Sequence, residues 1–311
     1  MNLPWVHYGG DFGANRWRPH GGLAGGGRRD EARRALEGIA ACGASVVRWF
    51  LLCDGRAGLR LGHRGAVLGL DDHAFHDMDV ALECAGTAGV QIMFVLFDFG
   101  LCQRARNVNG VVLGGRRYLI ADPSHRRRLV DAVIVPIADR YGMHDAIWAW
   151  DIINEPEWVT RGAGAKNPFR AVSRAAMQSF MMDSAAAVHA HAKQPVTVGS
   201  ASAAWLSLVE PCGLDFHQVH WYDSLERRAP LDRDVSVFAL GRPVILGEFP
   251  TSGSTRTPAE IVHMARARGY TGVFPWSWMA TDAATNQEGA RVSVRAAMSD
   301  TSRILDSSAP G

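Results

Sequence analysis

The 311-residue chain has almost no excess charge: 33 Lys and Arg stand against 31 Asp and Glu, for a net +2. The basic residues are mostly Arg. So small an excess argues against nucleic acid or an anionic membrane surface as partner. No run of about 18 apolar residues occurs, so no segment reads as a membrane span. Residues 1–5, Met-Asn-Leu-Pro-Trp, lack the basic stretch and apolar stretch of a signal peptide. The expectation is a cytoplasmic protein, or a secreted one whose leader has been removed. No GxGxxG follows a strand and opens a helix, and no GxxxxGK[ST] occurs, which turns the reading away from nucleotide-binding folds. Cys42, Cys53, Cys84, Cys102 and Cys212 are odd in number and contain no CxxC pair. Free buried thiols are expected rather than a disulfide framework. His7, the His73/His76 pair and the His189/His191 pair lack a third ligand at suitable spacing, and the first strand has no HxH. No metal and no cofactor are expected.

What is present is apolar and aromatic. The composition is 47% hydrophobic with ten Trp. That many large rings raises the choice between packing and ring-stacking surfaces. Short apolar runs, rich in β-branched and aromatic residues, recur along the chain. They are Trp5–Tyr8, Ser45–Leu52, Val90–Phe97, Trp148–Asn154, Pro195–Gly199, Phe216–Tyr222, Pro243–Gly247 and Gly272–Trp278. Helical patterns lie between most of them, at Asp30–Cys42, His73–Thr87, from Pro123 to about Tyr141, Pro168–Ala192, Ala259–Arg268 and Gly289 to about Leu305. Asp72 is a candidate N-cap, Gly43 a helix stop, and Asp122-Pro123 a helix start. The stretch from Gly100 to Ala121, with its Asn109-Gly110 turn signal, is too long for an ordinary connector and reads as a functional loop. Eight strands alternating with helices predict an α/β fold, a (β/α)8 TIM barrel formed as one domain over residues 1–311.

Chemistry in such a barrel sits at the C-terminal strand ends. Those ends carry Arg48 on the second strand, Asp98 on the third, Asn154 and Glu155 on the fourth, and His220 and Tyr222 on the sixth. Glu248 ends the seventh strand, and Trp276 and Trp278 lie on the eighth. Glu155 and Glu248 are each followed within two residues by Pro, which cannot donate to a ladder and so stops the strand. Arg48 sits within an apolar run, where a charge must be paired or must line a polar cavity. Two carboxylates across a cleft lined with Trp are what glycoside hydrolysis requires.

Trp150–Pro156, with its Asn-Glu-Pro, resembles the strand-four motif of glycoside hydrolase clan A, family 5 above all. Ile245–Phe249 resembles the strand-seven motif and His220–Tyr222 the strand-six motif. Arg48 resembles the strand-two arginine and Trp278 the strand-eight tryptophan. The five motifs fall in the family's order along nearly the whole barrel. The resemblance implies a retaining mechanism with Glu155 as acid/base and Glu248 as nucleophile. The departure is at Phe97–Gly100, where many family members carry a His.

Physical reasoning adds expected roles. A glutamate acting as acid near neutral pH needs a raised pKa, and the neighbouring carboxylate is the expected source of that push. Arg48 and the Tyr222 hydroxyl are expected to hold Glu248 ionised. Asn154 suits a sugar 2-OH, and Trp278 is expected to form the stacking floor, with Trp276 in the barrel wall. Asp98 and His220 are expected at the substrate or just behind it. Trp158, Trp205 and Trp221 are open between packing and sugar subsites. The partner is expected to be an oligo- or polysaccharide, cleaved at β-linkages by an endo-acting β-mannanase or β-1,4-glucanase. An exo-acting β-glycosidase and a non-catalytic carbohydrate-binding barrel are the alternatives.

Overall fold

The computed structural model describes residues 1–307, with side chains through Ser299. Six strands form one parallel sheet in sequential order: β1 (Val46–Phe50), β2 (Gln91–Asp98), β3 (Ile147–Asn154), β4 (Val196–Ser200), β5 (His217–His220) and β6 (Val244–Glu248). Two less regular segments close the sheet into a (β/α)8 barrel. On one side, Arg48 N donates to Met1 O and Leu3 N to Arg48 O, both at 2.9 Å. On the other, Phe274 N donates to Leu246 O at 2.8 Å and Trp276 N to Phe249 O at 2.9 Å. The ring closes where Asn2 N donates to Pro275 O at 3.2 Å and Trp278 N to Asn2 O at 2.9 Å.

The first strand therefore lies at Met1–Leu3, upstream of the expected Trp5–Tyr8. The physical reason is Asp11. Its carboxylate accepts from Val6 N at 2.7 Å and His7 N at 2.8 Å, and so takes the donors that a ladder would need. Trp5–Tyr8 instead bends over the barrel mouth.

Helices α1 (Arg28–Ala41), α2 (Asp72–Ala88), α3 (Pro123–Leu129), α4 (Arg174–His191), α5 (Pro258–Ala267) and α6 (Gln287–Ser307) cover the sheet. α1 buries Ala32, Ala35, Leu36 and Ile39, one stripe at helical spacing. Gly43, at φ 92°, follows its C-cap in the left-handed region where glycine is favoured. α2 is capped by Asp71 rather than Asp72, through a 2.7 Å bond from Ala74 N. α3 starts at Pro123 beneath its Asp122 cap, as expected. It runs on through a π turn (Val130–Ile134) into Val135–Tyr141, the wider turn preceding Pro136, which has no N–H to give.

The strands' outward faces and the helices share one large apolar core. A smaller cluster of Met93, Ala149, Phe216, Ile245 and Phe274 fills the barrel at the strands' N-terminal ends. The apolar filling stops there; above it the interior turns polar. The Gly100–Ala121 stretch contains a hairpin, Arg106–Val108 against Val111–Leu113, closed by Asn109 and Gly110 at positive φ. It stands at the rim of the mouth.

Candidate active site

The polar layer is built around Arg48, which is fully buried. Its Nε and Nη2 donate to Asp151 Oδ2 at 3.0 and 2.8 Å, and Nη2 also reaches Asn154 Oδ1 at 2.7 Å. Nη1 donates to Asn2 Oδ1 at 3.1 Å and to Glu248 Oε1 at 2.6 Å. Gln218 Nε2 and Gly199 N supply two more donors to Asp151, at 2.7 and 3.0 Å. A buried arginine is tolerable only when its donors are used in this way. Two glycines make the room. A Cβ on Gly199 would stand 2.6 Å from Arg48 Nη2, and one on Gly247 would stand 2.2 Å from Gln218 Cγ.

The two glutamates sit on this layer. β3 ends at Asn154, and Glu155 leaves it at φ 48°, ψ 49°, a left-handed conformation that costs a non-glycine residue about 1–3 kcal/mol. Pro156 then begins a tight 3-10 turn. Glu248 ends β6 at a register break opposite His220, a bulge that re-aims the side chain. One carboxylate oxygen of each glutamate lies within 4.8 Å of the other.

His220 bridges them from below. Its Nδ1 is 2.9 Å from Glu155 Oε1 and 3.5 Å from Glu248 Oε2. Burial lowers its pKa to about 4, so the ring is neutral at ordinary pH. Trp158 Nε1 donates to Glu155 Oε2 at 2.8 Å, and the Tyr222 hydroxyl donates to Glu248 Oε2 at 3.0 Å. Asn154 Nδ2 donates to Asp98 Oδ2 at 2.9 Å, and Gly100 N to Asp98 Oδ1 at 2.7 Å. The second hydrogen on Asn154 Nδ2 remains for a ligand hydroxyl.

Burial lifts the Glu155 pKa to about 7, against the pull of the Trp158 N–H and the Arg48 charge. The expected push from Glu248 is not its cause; the low-dielectric surroundings are. Burial also raises Glu248, opposed by His220 and the Arg48 guanidinium at 2.6 Å. Glu248 receives a charged donor and Glu155 does not, so Glu155 is the better proton carrier and Glu248 the better anion. Asp98 is likewise raised to about 7 by burial.

Glu155, Glu248, Asp98, Asn154, Tyr222 and Trp158 share a cleft of about 630 Å³, walled further by Trp5, Tyr8, Phe50, Phe99 and Trp276. Arg48 and His220 stand behind the carboxylates, not in the wall. Trp278 is a correction. Its ring is buried against Gly38 of α1, with the Arg291 guanidinium 5.2 Å from its centroid, and Trp276 faces the cleft instead. Alternation of side chains along a regular strand cannot be applied to this segment, which pairs only by isolated bridges. Trp205 stands edge-on to Trp158 at 5.3 Å, and Trp221 is buried with its Nε1–H on Glu226. The five cysteines are free thiols.

Sequence reasoning missed Asn2, Asp151, Gln218 and Trp276. Asp151 and Gln218 carried a signal: each is a polar residue inside an apolar strand, as Arg48 is. Asn2 carried none, because its role depends on closure of the ring between β1 and the last segment.

No protein-family model matches the chain. The mannan endo-1,4-beta-mannosidase of Mytilus edulis is 26% identical over 327 residues, 92% of this chain and 84% of that protein. The solved β-mannanase of the same mussel superposes with a TM-score of 0.77 at 24% identity, over 95% of this chain and 90% of that one. The endo-1,4-beta-mannanase of Eisenia fetida gives 0.76 at 24% identity, over 95% and 90%. Fold and site together thus define a glycoside hydrolase of the barrel type. More narrowly, the similarity is to the mannan endo-1,4-beta-mannosidases just named, and the fold is shared with GH5_18 of Streptomyces cattleya, at a TM-score of 0.65 and 16% identity over 99% of this chain and 80% of that one.

Proposed function

We propose that the protein is an endo-acting β-1,4-mannanase that cleaves with retention, Glu155 serving as acid/base and Glu248 as nucleophile. The observation that carries the reading is the carboxylate pair, with oxygens within 4.8 Å in an open cleft. Retaining enzymes hold their carboxyl groups about 5–5.5 Å apart, and inverting ones about 6.5–9.5 Å, with room for a water. Glu155, holding a proton near neutral pH, delivers it to the glycosidic oxygen as Glu248 attacks the anomeric carbon. The first sugar fragment leaves and a glycosyl ester forms on Glu248. Glu155, now ionised, takes a proton from water, which attacks that ester and releases the second fragment. Asn154 offers its remaining N–H to the 2-OH, and Trp276 offers a ring face to the apolar side of a pyranose.

The Mytilus edulis and Eisenia fetida proteins are named for mannan or mannanase activity, which supports mannan as the polysaccharide. The test is hydrolysis of mannan, glucan and xylan with product sizes read out. A ladder of manno-oligosaccharides is expected, and turnover by Glu155→Gln or Glu248→Gln should fall by several orders of magnitude. Release of mannose alone, or near-native activity in either variant, defeats the proposal.

A further inference from the structure

Beyond Trp158 the cleft opens into a second hollow of about 480 Å³. Phe99, Gln103 and Trp158 belong to both walls, so a chain passing Trp158 enters the hollow directly. Its wall carries three cationic side chains, Arg104, Lys166 and Arg170, all exposed, and no carboxylate. None of the three makes an ion pair or a side-chain hydrogen bond among the described residues. Other surface cations are matched, as in Arg140 with Asp79 and Lys193 with Asp145, or stand unpaired; here three unpaired ones line a single hollow.

The loop bearing Lys166 and Arg170 is tied down. Arg161 N donates to Val172 O and Val172 N to Val159 O, both at 2.8 Å. Arg161 Nε donates to Pro168 O at 3.0 Å, and Gly164 N to Glu157 O at 3.0 Å. Gly164 packs so closely on Trp158 that a Cβ there would lie 2.8 Å from the ring. The two cations are therefore carried on a bonded frame against the cleft aromatic, with Arg104 contributed by the long loop after β2.

The hydroxyls of a neutral polysaccharide can accept from such donors, but they bring no charge to balance three uncompensated cations. We infer that this hollow is a subsite for a sugar bearing an anionic substituent, a carboxylate or a sulfate ester, on the polysaccharide held in the cleft. The subsite rests on the reading of the cleft as polysaccharide-binding. It adds that the enzyme favours chains with an acidic group on the part of the chain that passes Trp158.

The test is titration of the inactive Glu155→Gln variant with mannohexaose and with hexaoses carrying one C6 carboxylate or one 6-sulfate on a terminal sugar, each end in turn. At about 0.02 M salt, a charged form should bind about fivefold or more tightly than the neutral one, the scale of an exposed ion pair or two. The gain should largely vanish at about 0.5 M salt, where screening shortens the reach of surface charge. Adding Arg104→Ala, Lys166→Ala and Arg170→Ala should abolish the gain while moving neutral binding far less. The group and the chain end that show the gain identify the substituent and the direction of the chain. Equal binding of charged and neutral forms, or a gain that survives the triple substitution, overturns the inference. If no mannohexaose binds, mannan is the wrong sugar, and the same comparison with cellohexaose decides the subsite by the same criterion. Absence of a charge-dependent gain in both series also overturns it.

Discussion

Trp158→Phe removes a single hydrogen bond at the proposed acid, and the pH profile separates that loss from the loss of ring volume. The substitution keeps a smaller aromatic ring against Trp205 and in the cleft wall, and removes the indole N–H that sits 2.8 Å from Glu155 Oε2 together with part of the ring's volume. That donor favours the charged carboxylate over the neutral acid. A bond to a charged group contributes about 1.5–3 kcal/mol and a neutral one about 0.5–1.5, so the difference is about 1 kcal/mol or slightly more. At 1.36 kcal/mol per unit, the Glu155 pKa should rise by somewhat under one unit from its value of about 7. Glu155 must be protonated to act as acid, so a higher pKa moves the alkaline limb of kcat/KM to higher pH. The assay is the pH profile of kcat/KM on a soluble manno-oligosaccharide, which reports groups of the free enzyme. A uniform loss of affinity lowers the whole profile without shifting the limb. An unmoved limb, or one displaced to lower pH, refutes the reasoning. Asp98 is the competing titrating group, since burial brings it to about 7 as well. Asp98→Asn should leave the alkaline limb in place; its disappearance in that variant would transfer the limb to Asp98.

Three further outcomes follow from the same geometry. Trp276→Ala should raise KM with little change in Tm, whereas Trp278→Ala should lower stability by about 3–5 kcal/mol through loss of core packing, read by denaturant unfolding. Arg48→Met leaves Asp151 and Glu248 without their charged donor, so a loss of about 3–5 kcal/mol is expected together with loss of activity. Glu157 is fully buried, with one oxygen on Ala201 N at 3.1 Å, and burial raises its pKa to about 8. A raised carboxyl pKa contributes stability in acid that is lost as pH climbs from about 4.5 through about 8. Glu157→Gln should therefore raise Tm above about pH 8 and change it little below about pH 4.5.

Much of the barrel was legible because its physics is local. An apolar run such as Ile147–Asn154 has one good solution, a buried strand, and helices between such runs force the sheet to be parallel. The strand ends were legible for the same reason: Pro156 and Pro250 mark where a ladder must stop, and Glu155 and Glu248 stand beside them. Misreadings cluster where pairing is weakest. Trp5–Tyr8 has strand composition, but the Asp11 carboxylate captures its backbone donors. Gly272–Trp278 has the right residues, yet pairs irregularly, and which tryptophan faced the cleft could not follow from alternation.

The sequence by itself determined the architecture, the two glutamates and the basic partner of one of them, because composition and strand-breaking residues act over a few neighbours. Only the tertiary structure decided how those groups divide their work. Glu155 owes its raised pKa to burial, and Glu248 is distinguished by Arg48 Nη1 at 2.6 Å, contacts between residues far apart in the chain. The same holds for Asn2, which joins the first segment to Gly247 and Phe274 and orients Arg48. Charge, hydrogen bonding and desolvation depend on distance in space, and closure of the barrel sets those distances.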